Sequence, residues 1–109
     1  MGLKKYDYVF TETAENDVDE ILAYIAQDLS NRDAAEDFAD EMEEKIEEIC
    51  KNPRNGRSVD NEYLKRHDVR RFLVKNYVVY YLTDEDNDRI VILRVVYSKR
   101  NQDKILGGL

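Results

Sequence analysis

Three β-rich runs follow one another closely in the second half of this 109-residue chain. They are "DVRRFLV" at 68–74, "YVVYYLT" at 77–83 and "RIVILRVVYS" at 89–98, and they are rich in residues that favour strands. The links between them are two residues and one acidic turn, so the runs are predicted to form an antiparallel meander. Because the second and third runs are apolar at almost every position, we expect both faces of their sheet to be covered at least in part.

The first half predicts one strand and two helices. "KYDYVFTE" alternates, with Tyr6, Tyr8 and Phe10 on one face, which is typical of a strand. From a predicted N-cap at Thr13, apolar residues then recur at the spacing of one helical face. Ser30, with an acid three positions later, resembles a capping box that opens a second helix, and Asn52-Pro53 ends it.

Together these elements predict an α+β fold with the order β-α-α-β-β-β, in which a helical hairpin packs on a small, largely antiparallel sheet. Residues 1–109 are expected to form a single domain. We expect residues 51–66 to be an exposed basic loop and the tail "NQDKILGGL" to form one turn and then fray. The helices would cover one sheet face and leave Tyr and Val residues of the other uncovered, which usually marks a partner site.

The charge is distributed unevenly along a chain whose formal net charge is -7. Residues 1–50 carry 4 Lys or Arg against 16 Asp or Glu, whereas residues 51–109 carry 13 against 8. A basic half attracts nucleic acid or an acidic protein, and an acidic half repels nucleic acid. Alternatively, the two halves neutralise each other within the fold.

Several classes of function lack the residues that they need. One His and one Cys give no zinc-type ligand set or Cys/His pair, and no Ser/His/Asp arrangement or glycine-rich phosphate loop is visible. No apolar run approaches the roughly 18 to 20 residues of a membrane span, and the N-terminus lacks the apolar core of a secretion signal. We therefore expect no metal, no small-molecule cofactor, no membrane contact and a cytoplasmic location. Cys50 has the spacing of a buried, inert thiol.

The remaining candidates for chemistry are cationic. Arg94 interrupts an apolar strand and needs either a ligand or a salt bridge to the acidic helices. The other candidates lie at two locations: before or at the start of the first of the three runs, and at the end of the last run. In a meander the first and third runs are parallel, so the start of one and the end of the other lie at opposite ends of the sheet. The candidates therefore need not form one cluster. They are Lys65, Arg66, His67, Arg70 and Arg71 at the first location, and Tyr97, Lys99 and Arg100 at the second.

The order and spacing of these pieces resemble the RelE/ParE superfamily, the toxins of bacterial type II toxin-antitoxin modules, also called plasmid stabilisation proteins. The matching pieces run from about residue 6 to 101: a strand, helices with "DVDEILAYIA" and "AAEDFADEMEEKI", then "NPRNG", "VRRFLVKNYVVYYL" and "RIVILRVVYSKRN". The resemblance implies the fold predicted above and a small cognate antitoxin that wraps the toxin. It also implies growth arrest through either mRNA on the ribosome, cut by RelE-type members, or DNA gyrase, inhibited by ParE-type members.

If the chain is an enzyme, the resemblance implies a metal-independent endoribonuclease, or mRNA interferase. Arg70, Arg94, Lys99 or Arg100 would then stabilise phosphate charge, and Tyr97 or His67 would transfer protons. Lys65, Arg66 and Arg71 would bind nucleic acid or another target.

The details favour the ParE-type target slightly. RelE-like cores have Arg in "Y-R-hydrophobic-hydrophobic-Y", where this chain has Val78, and Tyr97 stands where many relatives have His. "RVVYSKRN" is similar to the "R-V-hydrophobic-H-x-R-R-D" ending common in ParE-like members, with Tyr97 for His and Asn101 for Asp. The third alternative is an inactive member that acts only in complex formation.

Overall fold

The computed structural model describes residues 5–109 as a helical hairpin and a short terminal helix packed on a five-stranded sheet. Residues 1–4, part of the N-terminus interpreted above as lacking a secretion signal, lie outside the described residues. In chain order the elements are β1 (Asp7–Phe10), α1 (Glu12–Ala23) with a π-helical turn (Tyr24–Asp28), α2 (Arg32–Lys51), β2 (Arg57–Ser58), β3 (Val69–Val74), β4 (Tyr77–Asp84), β5 (Arg89–Tyr97) and α3 (Gln102–Gly107). Within the described residues, no helix is long and apolar enough to cross a membrane.

The sheet has the strand order β1-β5-β4-β3-β2. The predicted meander forms β3, β4 and β5, and β2 adds an antiparallel strand at the far edge. Strand β1 pairs parallel to β5, because the helical hairpin carries the chain across between β1 and the meander. The predicted α+β architecture is therefore confirmed, with β2 and α3 as additions.

Both predicted helix starts are wrong by one or two residues. The α1 cap is Thr11, whose hydroxyl accepts a hydrogen bond from the Ala14 backbone N–H at 3.0 Å, while Thr13 lies inside the helix. The α2 cap is Asn31, whose side chain accepts from the Ala34 N–H at 3.0 Å. Ser30 cannot act as that cap because its backbone is left-handed, with φ 49°, and reverses the chain between the helices.

The main core lies between the hairpin and one face of the sheet. It combines apolar residues of α1 and α2, including Phe38 and Ile46, with Val79 and Tyr81 of β4 and neighbours on β5. Cys50 is buried in this core, as predicted, and burial raises the pKa of its thiol.

The opposite face is covered, which corrects the prediction of an uncovered apolar surface and of a frayed tail. Apolar side chains of α3 and of the loop before β3 pack on residues of the meander. They are Ile105 and Leu106 of α3 and Leu64 of the loop. The meander residues are Val69, Val78, Tyr80 and Val96. The tail stays in place because burying its apolar side chains stabilises a helix too short to form alone.

The loop at 51–66 is more ordered than predicted. It contains a 3-10 turn, Pro53–Asn55, and the edge strand β2. The Tyr81 hydroxyl donates to the Pro53 carbonyl at 2.7 Å and accepts from the Gly56 N–H at 3.0 Å. A side chain at Gly56 would collide with this phenol, so only glycine fits there without a shift.

Candidate functional site

Arg94 forms a partly buried ion pair with Asp17 of α1. Its Nε donates to Asp17 Oδ2 at 2.8 Å and its terminal nitrogen donates to Oδ1 at 3.1 Å. The Val95 backbone N–H also donates to Oδ2, at 2.9 Å. A β-bulge precedes Arg94, because Leu93 has no partner in β4. Of the two predicted partners of Arg94, a ligand or an acid of the helices, the structure contains the acid. The role of Arg94 in catalysis stays a prediction.

Arg70 supports the loop before β2. Its side chain donates to the Gly56 carbonyl at 2.7 Å and, more weakly, to the Arg54 carbonyl at 3.4 Å. It lies opposite Tyr81 in the sheet register. Burial raises the pKa of Tyr81, an effect that the Gly56 N–H and then the charge of Arg70 oppose. Arg70 therefore supports the structure on the hairpin side of the sheet.

Arg71 lies on the other face, in a cleft of about 340 Å³ beside α3. Arg57, Tyr80 and Gln102 also line this cleft. The Tyr80 hydroxyl donates to Gln102 Oε1 at 2.6 Å. Burial raises the pKa of Tyr80, and the nearby Arg71 guanidinium partly offsets that rise. The cleft thus presents two guanidinium groups next to a fixed phenol.

Arg57 and Tyr80 are members of this cleft that the sequence did not indicate. Arg57 lies in a two-residue strand within a segment predicted to be a loop. Tyr80 belongs to an apolar run that was predicted as a strand, and the sequence did not single it out. A signal exists in hindsight only for Tyr80, because a buried tyrosine hydroxyl needs a polar partner nearby.

Tyr97, Lys99 and Arg100 lie at the end of β5 and in the turn after it. Tyr97 is 40% exposed, and its ring contacts the Tyr77 ring, with centroids 5.8 Å apart. Tyr77 in turn packs against Phe38 of α2, at 5.1 Å. Lys99 and Arg100 are exposed. Tyr97 is therefore on the hairpin side, whereas Arg71 is on the α3 side.

Lys65, Arg66 and His67 form an exposed segment before β3. The Arg66 guanidinium makes a bidentate contact with Asp68, at 2.6 and 2.8 Å. This contact raises the pKa of Arg66 and holds the pKa of Asp68 below its usual range. Arg66 is therefore already engaged by an acid, whereas no ion pair of Lys65 or His67 occurs among residues 5–109.

The structure does not gather the candidate residues into one constellation. Arg71 lies in the cleft beside α3, Tyr97 with Lys99 and Arg100 lies at the end of β5, and Arg94 lies against α1. Over residues 5–109 there is no group of three His, Cys, Asp or Glu side chains that could hold a metal ion. The arrangement provides separate basic surfaces for contact, and the partly exposed Tyr97 lies at the one formed by Lys99 and Arg100.

Comparison with known proteins places this geometry in a context. The family model described as "ParE toxin of type II toxin-antitoxin system, parDE" matches residues 8–102. A structure of a chromosomal ParDE toxin-antitoxin system from P. aeruginosa is similar over 88% of this chain and 99% of that chain, with 16% identity and a TM-score of 0.68. A chain of the RelBE2 toxin-antitoxin complex from Mycobacterium tuberculosis is similar over 88% and 94%, with 21% identity and a TM-score of 0.62. No curated protein sequence matches significantly.

Proposed function

Because the chain belongs to the ParE family of toxins of type II toxin-antitoxin systems, we propose that it arrests growth in the cytoplasm by binding DNA gyrase and that a cognate antitoxin neutralises it. The observation that carries the proposal is the family match over residues 8–102. The basic turn after β5 is the surface proposed to contact the target, through Lys99 and Arg100. Both residues are exposed, and neither forms an ion pair among the described residues.

The side-chain arrangement supports binding over RNA cleavage. Metal-independent cleavage needs a proton-transfer group and phosphate-binding cations around one reacting phosphate. Here Arg94 is held by Asp17, and Tyr97 and Arg71 lie on opposite sides of the sheet. Val78, at the position where RelE-like nucleases have Arg, is 2% exposed beneath the α3 side of the fold.

A ribosome-dependent mRNA endoribonuclease is the second candidate. The observation that favours it is the exposed Tyr97 phenol within three residues of Lys99 and Arg100. In that mechanism the two cations would stabilise the developing phosphate charge and the phenol would transfer a proton. The third candidate, an inactive member that serves only in complex formation, predicts no growth arrest at all.

Three measurements separate these candidates. The chain is induced alone and then together with the protein encoded by the adjacent reading frame, and growth is recorded. Purified chain is then added to a gyrase supercoiling assay and, in parallel, to ribosomes carrying mRNA. We expect growth arrest that co-expression relieves, inhibited supercoiling and intact mRNA. Cut mRNA with unaffected supercoiling would replace gyrase binding with the nuclease, and unchanged growth in both inductions would leave the inactive alternative.

Two variants sharpen the comparison. Tyr97→Phe removes only a hydroxyl, so supercoiling inhibition should stay within about twofold, whereas a nuclease that uses this phenol as a proton donor would lose about 100-fold in rate. Replacement of both Lys99 and Arg100 by Gln should weaken either activity, because both versions need the cations. Lys51→Gln, at the exposed last residue of α2, is the matched control for loss of a positive charge.

A further inference from the structure

Two arginines face each other across the far edge of the sheet. Arg57 of β2 is the register partner of Arg71 of β3. Like charges at directly opposite positions of an antiparallel pair destabilise it. Among residues 5–109 neither arginine forms an ion pair, although the chain contains 24 Asp and Glu residues. The edge therefore holds a concentration of positive charge that the described part of the chain leaves without a counter-ion.

The surrounding acids do not neutralise this pair. Asp60 lines the same cleft but lies beyond ion-pair distance of both guanidinium groups. Asp103 accepts a hydrogen bond from the Asn61 side chain at 2.8 Å instead. Both arginines line the same cleft of about 340 Å³, which is large enough for a side-chain carboxylate. An anion from outside the chain would supply the missing counter-charge.

We propose that the cleft between β2, β3 and α3 binds a carboxylate side chain of the antitoxin, held between the guanidinium groups of Arg57 and Arg71. This inference rests on the proposed function, because it takes the antitoxin as the partner. Guanidinium groups bind carboxylates in a planar, bidentate geometry. Gln102 and the Tyr80 hydroxyl hold each other at the back of the cleft, so its wall is fixed before the ligand arrives.

A protein carboxylate fits this surface better than a nucleic-acid backbone. The net charge of -7 and the acidic Asp60 at the cleft oppose a long polyanion, whereas one carboxylate needs only the two arginines. Leu73, two positions after Arg71 on the same strand and face, is 52% exposed. Apolar contacts next to arginine-mediated contacts are typical of protein interfaces.

The test compares Arg57→Gln and Arg71→Gln with the wild-type chain. Arg32→Gln is the matched control, because Arg32 is exposed on α2 and forms no ion pair among residues 5–109. Calorimetry measures the affinity for the protein encoded by the adjacent reading frame. We expect each cleft variant to weaken binding about tenfold or more, and the control to stay within about twofold. An unchanged affinity in both cleft variants would overturn the proposal.

Thermal unfolding distinguishes a binding role from a structural one. If the arginines only repel each other in the free chain, replacing either one should leave the melting temperature unchanged or raise it. A marked fall would mean that they stabilise the fold through contacts of their own, and the proposal would fail. Growth arrest by Arg57→Gln, expressed alone, should match the wild type, because Arg57 is proposed to contact the antitoxin and not the target.

Two generic probes identify the chemistry of the ligand. The side-chain NMR signals of Arg57 and Arg71 are followed during titration with a hexaglutamate peptide and, separately, with a single-stranded oligouridylate. We expect shifts with the peptide at lower concentration than with the RNA. A response to RNA at equal or lower concentration, or none to either probe, would overturn the assignment to a carboxylate. These measurements decide the site even if the chain fails to arrest growth, which would contradict the proposed function separately.

Discussion

Breaking the ion pair between Arg94 and Asp17 should be one of the most destabilising changes to a polar contact in this fold. The Arg94 side chain is 21% exposed and that of Asp17 is 11% exposed, so solvent screens the pair only weakly. Asp17 accepts from two nitrogens of Arg94 and from the Val95 N–H. Removal of the carboxylate therefore leaves a largely buried guanidinium and a backbone donor without their partner at once.

Asp17→Ala should reduce the free energy of unfolding by about 3 kcal/mol, near the lower end of the range for breaking a buried pair because the arginine keeps some contact with water. Arg94→Met keeps the aliphatic packing and leaves Asp17 its bond from the Val95 N–H, so we expect a loss of about 1.5 kcal/mol. The double variant should lose clearly less than the sum, with a coupling energy of about 1 to 2 kcal/mol.

Equilibrium unfolding in urea measures these values, with the midpoint shifting at constant slope. The control cycle uses Arg66 and Asp68, whose side chains are 42% and 49% exposed, and it should give a coupling below about 1 kcal/mol. If the Arg94 cycle proves additive, or no larger than the Arg66 cycle, the reasoning from burial to energy is refuted.

The remaining predictions concern the packing on the two faces of the sheet. Gly56→Ala should cost about 1 to 3 kcal/mol in unfolding free energy, because the new methyl group collides with Tyr81, and in a Tyr81→Phe background the added cost should be smaller. Leu106→Ala, at a side chain 3% exposed, should cost about 2 to 4 kcal/mol, whereas Leu29→Ala, at one 56% exposed, should stay within about 0.5 kcal/mol of wild type. The free energy of unfolding should fall as the pH rises above about 10, because burial raises the folded-state pKa of tyrosines and the unfolded chain therefore releases protons first. Tyrosinate absorbance and the free energy of unfolding, both measured against pH, check this. No loss of stability at high pH would contradict it. The tyrosines concerned are Tyr77, Tyr80 and Tyr81.

The strands and the helical hairpin could be predicted because their signals are local. Residues 68–98 carry β-rich runs with short links, and the first half carries one helical face after another. The predicted helix starts were wrong by one or two residues, because Thr11 and Thr13, like Ser30 and Asn31, are all suitable cap residue types and backbone conformation decides between them. Local sequence thus specified the elements but not their first residues.

The sequence predicted only one frayed turn where α3 forms, and it indicated no strand at β2. α3 has six residues and depends on packing against the meander, and β2 has two residues and depends on its pairing with β3. The cleft beside them was missed for the same reason. Likewise, whether Arg94 bound a ligand or an acid depended on Asp17, 77 positions away, which only the folded chain brings near.

The charge asymmetry of the sequence becomes a difference between the two faces of the sheet. The acidic helices pack on one face, where Asp17 reaches Arg94 and Glu41 reaches Lys75 at the β3–β4 turn. The opposite face carries α3 and the Arg57–Arg71 edge. Because the sheet separates this edge from the acidic hairpin, the two arginines form no ion pair among residues 5–109, although the net charge of the chain is negative. The location of the acids, and not their number, decides which cations are available for binding.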